Sequence, residues 1–221
     1  MMTKNIVNKV NWFVNQYKSL VVMAVYAVIY LIVFGYLENR QIEYNIINLA
    51  IDRRIPFCEY FVIPYFLWFA YVAVTVCIVC IFDKVEAEKL VPFLIAGMTI
   101  FLVVSAVYPN GLALRPKYFA RDNFCVDLVK YLYTIDTSTN VIPSIHVYNS
   151  IAIMIVVWRS KIFENHGIIK ALMLILGASI IVSTVMIKQH SMLDVMVALV
   201  LSVIMYPICY KRQEEYAYRK V

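Results

Sequence analysis

Stretches without a single Asp, Glu, Lys or Arg alternate with shorter polar segments along the whole chain. Six such runs stand out: Ser19–Leu37, Tyr60–Phe82, Leu90–Leu114, Asn140–Trp158, Ala171–Ile187 and Val195–Tyr210. About 20 apolar residues cross a hydrocarbon core, and slightly shorter runs suffice where flanking side chains snorkel. The pattern predicts an all-α integral membrane protein with six transmembrane helices rather than a soluble helical core.

The polar segments between the runs differ in length. "DKVEAEK" and "RSKIFENHG" are short and force neighbouring spans into antiparallel pairs. On the other side two connections are long. In "ENRQIEYNIINLAIDRRIPFCE" the residues Ile42, Ile46, Ile47, Ala50 and Ile51 share one helical face. In "NFCVDLVKYLYTIDTSTN" the same holds for Phe124, Leu128, Val129 and Leu132. Each predicts an amphipathic helix lying in the interface, two in all. The breaker cluster "DTSTNVIP" then sets the start of the fourth span near Pro143. No repeat, low-complexity tract or Gly/Ser linker interrupts the pattern, so residues 1–221 read as a single domain.

Composition agrees: 63% of residues are hydrophobic and 15% charged, far from the balance of soluble proteins. Charge adds an orientation. Twelve of the 20 lysines and arginines fall on the side of the N-terminus and eight on the other, although the outer loops are longer. The positive-inside bias therefore places both termini in the cytoplasm and the long connections outside, at the plasma membrane. The net charge of +6 belongs to this bias and to anionic headgroups; no nucleic-acid partner is expected. The first run leads into "VFGYLENRQ", which has no small-residue cleavage site, and reads as an anchor. Five cysteines form no disulfide framework, and Cys77 and Cys80 read as small buried hydrophobes rather than metal ligands.

Candidate chemistry gathers at the outer face. Of three histidines, His166 sits in an inner connection, His146 opens the fourth span and His190 opens the sixth. Asp194 follows His190 by four residues, one helical turn, so it can accept from one ring nitrogen and leave the other as a lone pair. An ionisable residue at the edge of a span is costly unless paired or functional. A structural pair tying helices together is the alternative.

Three motifs follow in order: "LRP" at Leu114–Pro116, "PSIH" at Pro143–His146 and "STVMIKQHSMLD" at Ser183–Asp194. In order and spacing they resemble the type 2 phosphatidic acid phosphatase superfamily of membrane enzymes, which includes the vanadium haloperoxidases. That pattern is Lys-x6-Arg-Pro, Pro-Ser-x-His and Ser-Arg-x5-His-x3-Asp. "YPNGLALRP", "PSIH" and "QHSMLD" look closest to the inositol-phosphorylceramide-synthase-like branch. The resemblance implies a lipid phosphatase or phosphotransferase that passes through a phosphohistidine without metal or other cofactor. It implies His190 as nucleophile, Asp194 as its orienting partner and His146 as the acid that protonates the departing oxygen. Arg115 and Ser144, with backbone N–H groups around Ile145, would hold phosphate oxygens, and Ser183 takes the serine position of the third motif.

Two positions depart from the pattern. Tyr108 stands in place of the lysine of motif one, and Thr184 in place of the arginine before the nucleophile. Each removes a cation that would face phosphate. Lys188 restores one charge or, alternatively, snorkels at a helix end. Fewer cations fit a phosphodiester better than a phosphomonoester dianion. The expected partners are a phosphate-containing lipid and the bilayer. Two other readings stay open: a non-catalytic lipid-binding relative with eroded motifs, and a membrane transporter.

Overall fold

The structure, a computed structural model, describes residues 17–211. Lys4, Lys9, Arg212, Arg219 and Lys220, which contribute to the charge bias, lie outside the described residues, as do the termini. Seven α-helices are described: α1 (Lys18–Glu38), α2 (Val62–Phe82), α3 (Lys84–Val107), α4 (Phe124–Ile135), α5 (Ile145–Arg159), α6 (Gly167–Met186) and α7 (Met192–Tyr206). Five helical segments are long and apolar enough to cross a membrane: α1, α2 with the turn before it, α3, α6, and α7 with the π-helical turn after it. They mark a membrane protein. Their outward faces are apolar, as with Ile32 (68% exposed) and Val203 (74%), which in water would invite aggregation and in lipid costs nothing.

Helix α5 is also apolar but, with 15 residues, falls short of that length. It packs against α2, α3, α6 and α7, and nine of its residues are buried, His146 and Asn149 among them. The run Asn140–Trp158 is therefore not helical throughout. Its first five residues are irregular, with a cis Ile142–Pro143 peptide. Irregular backbone at that depth needs protein partners. Asn110 supplies them: its side-chain oxygen accepts the N–H groups of Val141 (2.9 Å) and Ile142 (3.1 Å).

The third run begins earlier and ends earlier than expected, at Lys84 and Val107 rather than Leu90 and Leu114. Its charged first turns are accommodated by pairing. Asp83 caps the helix by accepting the Glu86 N–H, while Glu86, buried, meets Lys89 (2.9 Å) and Arg159 (3.1 Å). Ser160 donates to Asp83 at 2.6 Å, tying the end of α5 to the start of α3. Higher up, α3 and α5 touch closely. A Cβ on Gly97 would fall 2.0 Å from the Tyr148 ring, so only glycine lets that tyrosine lie flat against α3 and reach the Phe93 carbonyl (2.9 Å).

The first long connection does not form the expected helix. Asn45–Ile46 (β1) pairs in parallel with Asn110–Gly111 (β2), and Gly111 bridges Thr139. Residues 50–53 make one 3-10 turn and 59–61 another. The isoleucine spacing suits a helix, but pairing with β2 and the turn around Asp52 satisfy the backbone instead. The second expected helix is present as α4, capped by Asn123. Its buried face is Cys125, Val126, Val129 and Leu132, with Phe124 turned outward. Of the CxxC pair, Cys80 is buried but Cys77 faces outward, which corrects half of that expectation.

Candidate active site

Two helix starts and one turn build the site. Helix α6 ends at Met186 and α7 begins at Met192. The turn between them is shaped by the Thr184 carbonyl, which accepts the N–H groups of both Gln189 and His190 at 3.0 Å. Lys188 adopts a left-handed φ of 58°, which costs a residue with a Cβ about 1–2 kcal/mol. His190 thus precedes α7 instead of opening it. It still reaches one turn ahead: its Nδ1 lies 2.8 Å from Asp194 Oδ2. The other carboxylate oxygen accepts the Val195 N–H at 3.0 Å. Asp194 is fully enclosed, so its charge is held by this ring and the Val195 amide.

The second start is that of α5. Ser144 caps it by accepting the Val147 N–H (3.3 Å), and the Ser144 N–H donates to the Asp194 carbonyl (3.3 Å). That bond ties the second motif to the third through the backbone. His146, two residues on, presents Nδ1 to His190 Nε2 at 3.3 Å. Its ring is stacked on Tyr65 (4.5 Å between centroids) and lies 4.2 Å from Trp68, both on α2. The arrangement is a buried chain, Asp194–His190–His146. With a proton on His190 Nδ1 shared with Asp194, His190 Nε2 keeps its lone pair and accepts from His146 Nδ1. His146 Nε2 is buried with no partner among the described residues. The first-turn amides of α5 have no acceptor within their own helix, as at any helix start.

Arg115 enters from the side. Its Nε (3.0 Å) and Nη2 (2.6 Å) both donate to Gln189 Oε1. Nη1 donates to the Tyr133 carbonyl (3.0 Å) and Nη2 also to the Asp136 carbonyl. The guanidinium lies over the Tyr133 ring at 4.2 Å. Burial pulls its pKa down from the usual arginine value, against the opposing effects of Tyr133 and Asp136. Its fork therefore faces the residue next to His190 and the end of α4.

The remaining candidates have other partners. Lys188 donates to the carbonyls of Asp52 (2.8 Å) and Ile55 (2.5 Å). Burial lowers its pKa, partly offset by the Asp52 charge. Ser183 and Thr184 are buried and bond back to Ile180 and Ile181 of their own helix. Tyr108 is half exposed just past the end of α3. The structure thus brings His190, Asp194, His146 and Ser144 together, sets Arg115 beside them through Gln189, and leaves Ser183 and Lys188 engaged elsewhere.

Sequence reasoning passed over several residues that hold this site: Asp52, Tyr65, Trp68, Asn110, Asp136 and Gln189. Tyr65 donates to Asp136 at 2.6 Å, which fixes the ring that supports His146. Only Asn110 and Gln189 lay inside quoted motifs, and nothing in their spacing signalled a role. No group of three or more His, Cys, Asp or Glu side chains suited to a metal occurs among the described residues.

A family model described as the PAP2 superfamily matches residues 89–217, which is more than half of the chain. No curated protein and no solved structure matches it.

Proposed function

The chain belongs to the PAP2 superfamily, whose members are generally phosphatases or phosphotransferases, and from that premise we propose a membrane enzyme acting on a phosphate-containing lipid through a phosphohistidine. The observation that carries this reading is the buried chain Asp194–His190–His146, with its 2.8 Å and 3.3 Å contacts.

In this reading, His190 Nε2 attacks phosphorus while Asp194 holds the tautomer and steadies the positive charge that develops on the ring. The phosphorus–oxygen ester bond breaks, and the departing oxygen takes a proton from His146, which enters this step as the imidazolium and leaves it neutral. Water or an acceptor hydroxyl then attacks the phosphohistidine and returns its proton to His146. The His146–His190 contact gives way when phosphate enters between the rings. Ser144 and the amides of Ile145 and His146 bind phosphate oxygens at a helix start, where the dipole favours an anion. Arg115 completes the set by turning part of its fork from Gln189 to phosphate. Lys188 and Ser183 act indirectly, Lys188 by holding the turn that carries His190.

The membrane assignment goes with the chemistry. Helix α5 would be the fourth and innermost of six spans, sheltered by its neighbours, and α4 would lie at the interface. The site would open on the outer face of the plasma membrane, with both termini in the cytoplasm. A lipid would keep its chains in the bilayer while its phosphate reaches His190. With Tyr108 and Thr184 in place of two cations, transfer of a phosphorylated headgroup stands beside release of orthophosphate. The inositol-phosphorylceramide-synthase-like branch is the one in which such transfer is expected. Residues 1–221 would work as one domain.

One observation favours a second reading, a non-catalytic lipid-binding relative: all three nitrogens of the Arg115 fork are already engaged, by Gln189 and by the carbonyls of Tyr133 and Asp136. The two readings part in one experiment. Purified protein is given radiolabelled phosphatidic acid in mixed micelles and, separately, a phosphodiester lipid with a diacylglycerol acceptor. Turnover and an acid-labile phosphoenzyme are expected from the wild type and neither from His190→Ala. Binding of both lipids without turnover would favour the non-catalytic relative, and a His190→Ala protein that still turned over would refute the assignment.

A further inference from the structure

We infer that Asp52, in the first outer connection and outside the family match, is a positioning residue for His190; this rests on the reading of His190 as nucleophile. The first amides of a helix have no acceptor within it. At α7, Ser191 takes the Leu193 N–H (3.1 Å), and Asp52 takes that of Met192. Its Oδ1 accepts the Met192 N–H at 2.8 Å, and its Oδ2 accepts the Ser191 hydroxyl at 2.6 Å and its own loop's Leu49 N–H at 2.7 Å. The main-chain carbonyl of the same residue accepts the Lys188 ammonium at 2.8 Å. One buried residue therefore grips both ends of the segment 188–192, which carries His190.

This grip answers a need. Lys188 sits in the left-handed region, and such a conformation persists only where its surroundings hold it. The Asp194 bond fixes the rotation of the His190 ring, but only the backbone of 188–192 fixes where that ring stands. A shift of about 1 Å at a reacting atom costs on the order of 100-fold in rate. A carboxylate suits the task because both oxygens accept and its charge complements the helix start. Asparagine has the same size, yet its NH2 group would confront either the Met192 amide or the Ser191 and Leu49 donors.

The test uses the full chain in detergent with phosphatidic acid in mixed micelles. Wild type, Asp52→Asn, Asp52→Glu, Ser191→Ala, the double variant Asp52→Asn with Ser191→Ala, and His190→Ala are compared. The single-turnover rate and KM are measured. The Nδ1–H resonance of His190, identified by its loss in His190→Ala, reads ring placement without any chemistry. Asp52→Asn should shift that resonance and lower the rate by about 10–100-fold, with KM within about twofold. Asp52→Glu, which keeps the carboxylate, should recover part of the rate. Ser191→Ala combined with Asp52→Asn should be little worse than Asp52→Asn alone, because the two share one contact. An unmoved resonance, an unchanged rate, or a loss that merely follows the folded fraction would overturn the inference. Turnover surviving in His190→Ala would refute the nucleophile instead, and the resonance would still report whether Asp52 holds the ring.

Discussion

Helices α5 and α7 both start on a serine whose hydroxyl accepts a first-turn amide, Ser144 taking Val147 and Ser191 taking Leu193. Each start is steadied by a side chain from a distant connection, Asn110 for the first and Asp52 for the second. The histidines nevertheless stand differently. His146 lies within α5, so the helix ladder and the rings of Tyr65 and Trp68 fix it. His190 lies ahead of α7, outside any ladder, and depends on polar contacts: Asp194, the Thr184 carbonyl and the Asp52 grip on its turn. The proposed acid is held by packing and the proposed nucleophile by hydrogen bonds. A polar substitution should therefore strike hardest at His190.

Short of removing His190 itself, the largest effect is expected from Asp194→Asn. The amide oxygen can still accept from His190 Nδ1–H, but it carries no charge to stabilise an imidazolium. One arm of the group would also confront the Val195 N–H, now accepted by Oδ1. The rate should fall by about 10²–10⁴, while the protein stays monodisperse on size exclusion. A full-rate Asp194→Asn enzyme would show that the polar support of His190 is dispensable and would erase the contrast.

His146→Ala comes next, and its cost should depend on the substrate. With an alkoxide leaving group, as in a lipid ester, losing the proton donor should cost about 10²–10⁴. With para-nitrophenyl phosphate, whose leaving oxygen is already stable, the loss should be much smaller. Measuring both substrates on one preparation tests the division of roles. Equal losses on the two would remove His146 as the acid.

Asn110→Ala should act mainly on stability. It strips the acceptor from two enclosed backbone amides, Val141 and Ile142, and a buried donor left unpaired costs about 1–3 kcal/mol. A clear fall in melting temperature is expected, with activity per folded molecule reduced less than in Asp194→Asn. Asn110→Asp keeps the acceptor and loses only the donation to the Tyr108 carbonyl (2.8 Å), so it should be milder. If the two variants melted alike, the bonds to Val141 and Ile142 would not be what holds the start of α5.

How much of this was legible in the sequence varies along the chain. The charge-free runs located the long helices because lipid tolerates no unpaired charge or backbone. Where a charge has a partner the rule blurs, and Glu86 and Lys89 let α3 begin six residues early. The irregular stretch before α5 was readable only as a breaker cluster, since the acceptor that makes it tolerable, Asn110, comes from another connection. The isoleucine face around Ile46 failed for the same reason: pairing with β2 is a tertiary event. Motif spacing singled out His146, His190 and Asp194, which do meet. It was silent on Asp52 and Gln189, and it could not foresee that Lys188 would bond loop carbonyls. Spacing reports which residues share a helix turn, not which distant loop supplies their partners.

The smallest effect is expected at the third histidine, which serves as the reference for the other two. His166 precedes α6 in the connection from α5, is exposed, and makes no side-chain cap to the helix it begins. Its main chain does the local work: its N–H donates to Phe163 and its carbonyl accepts from Lys170. Alanine keeps both of these bonds, and an exposed side chain with no such role contributes within about 0.5 kcal/mol. His166→Ala should therefore match the wild type in turnover on phosphatidic acid and in melting temperature. If His166→Ala were inactive while His190→Ala remained active, the reacting centre would lie at the opposite end of the helices, and the contrast between α5 and α7 would be one of packing alone.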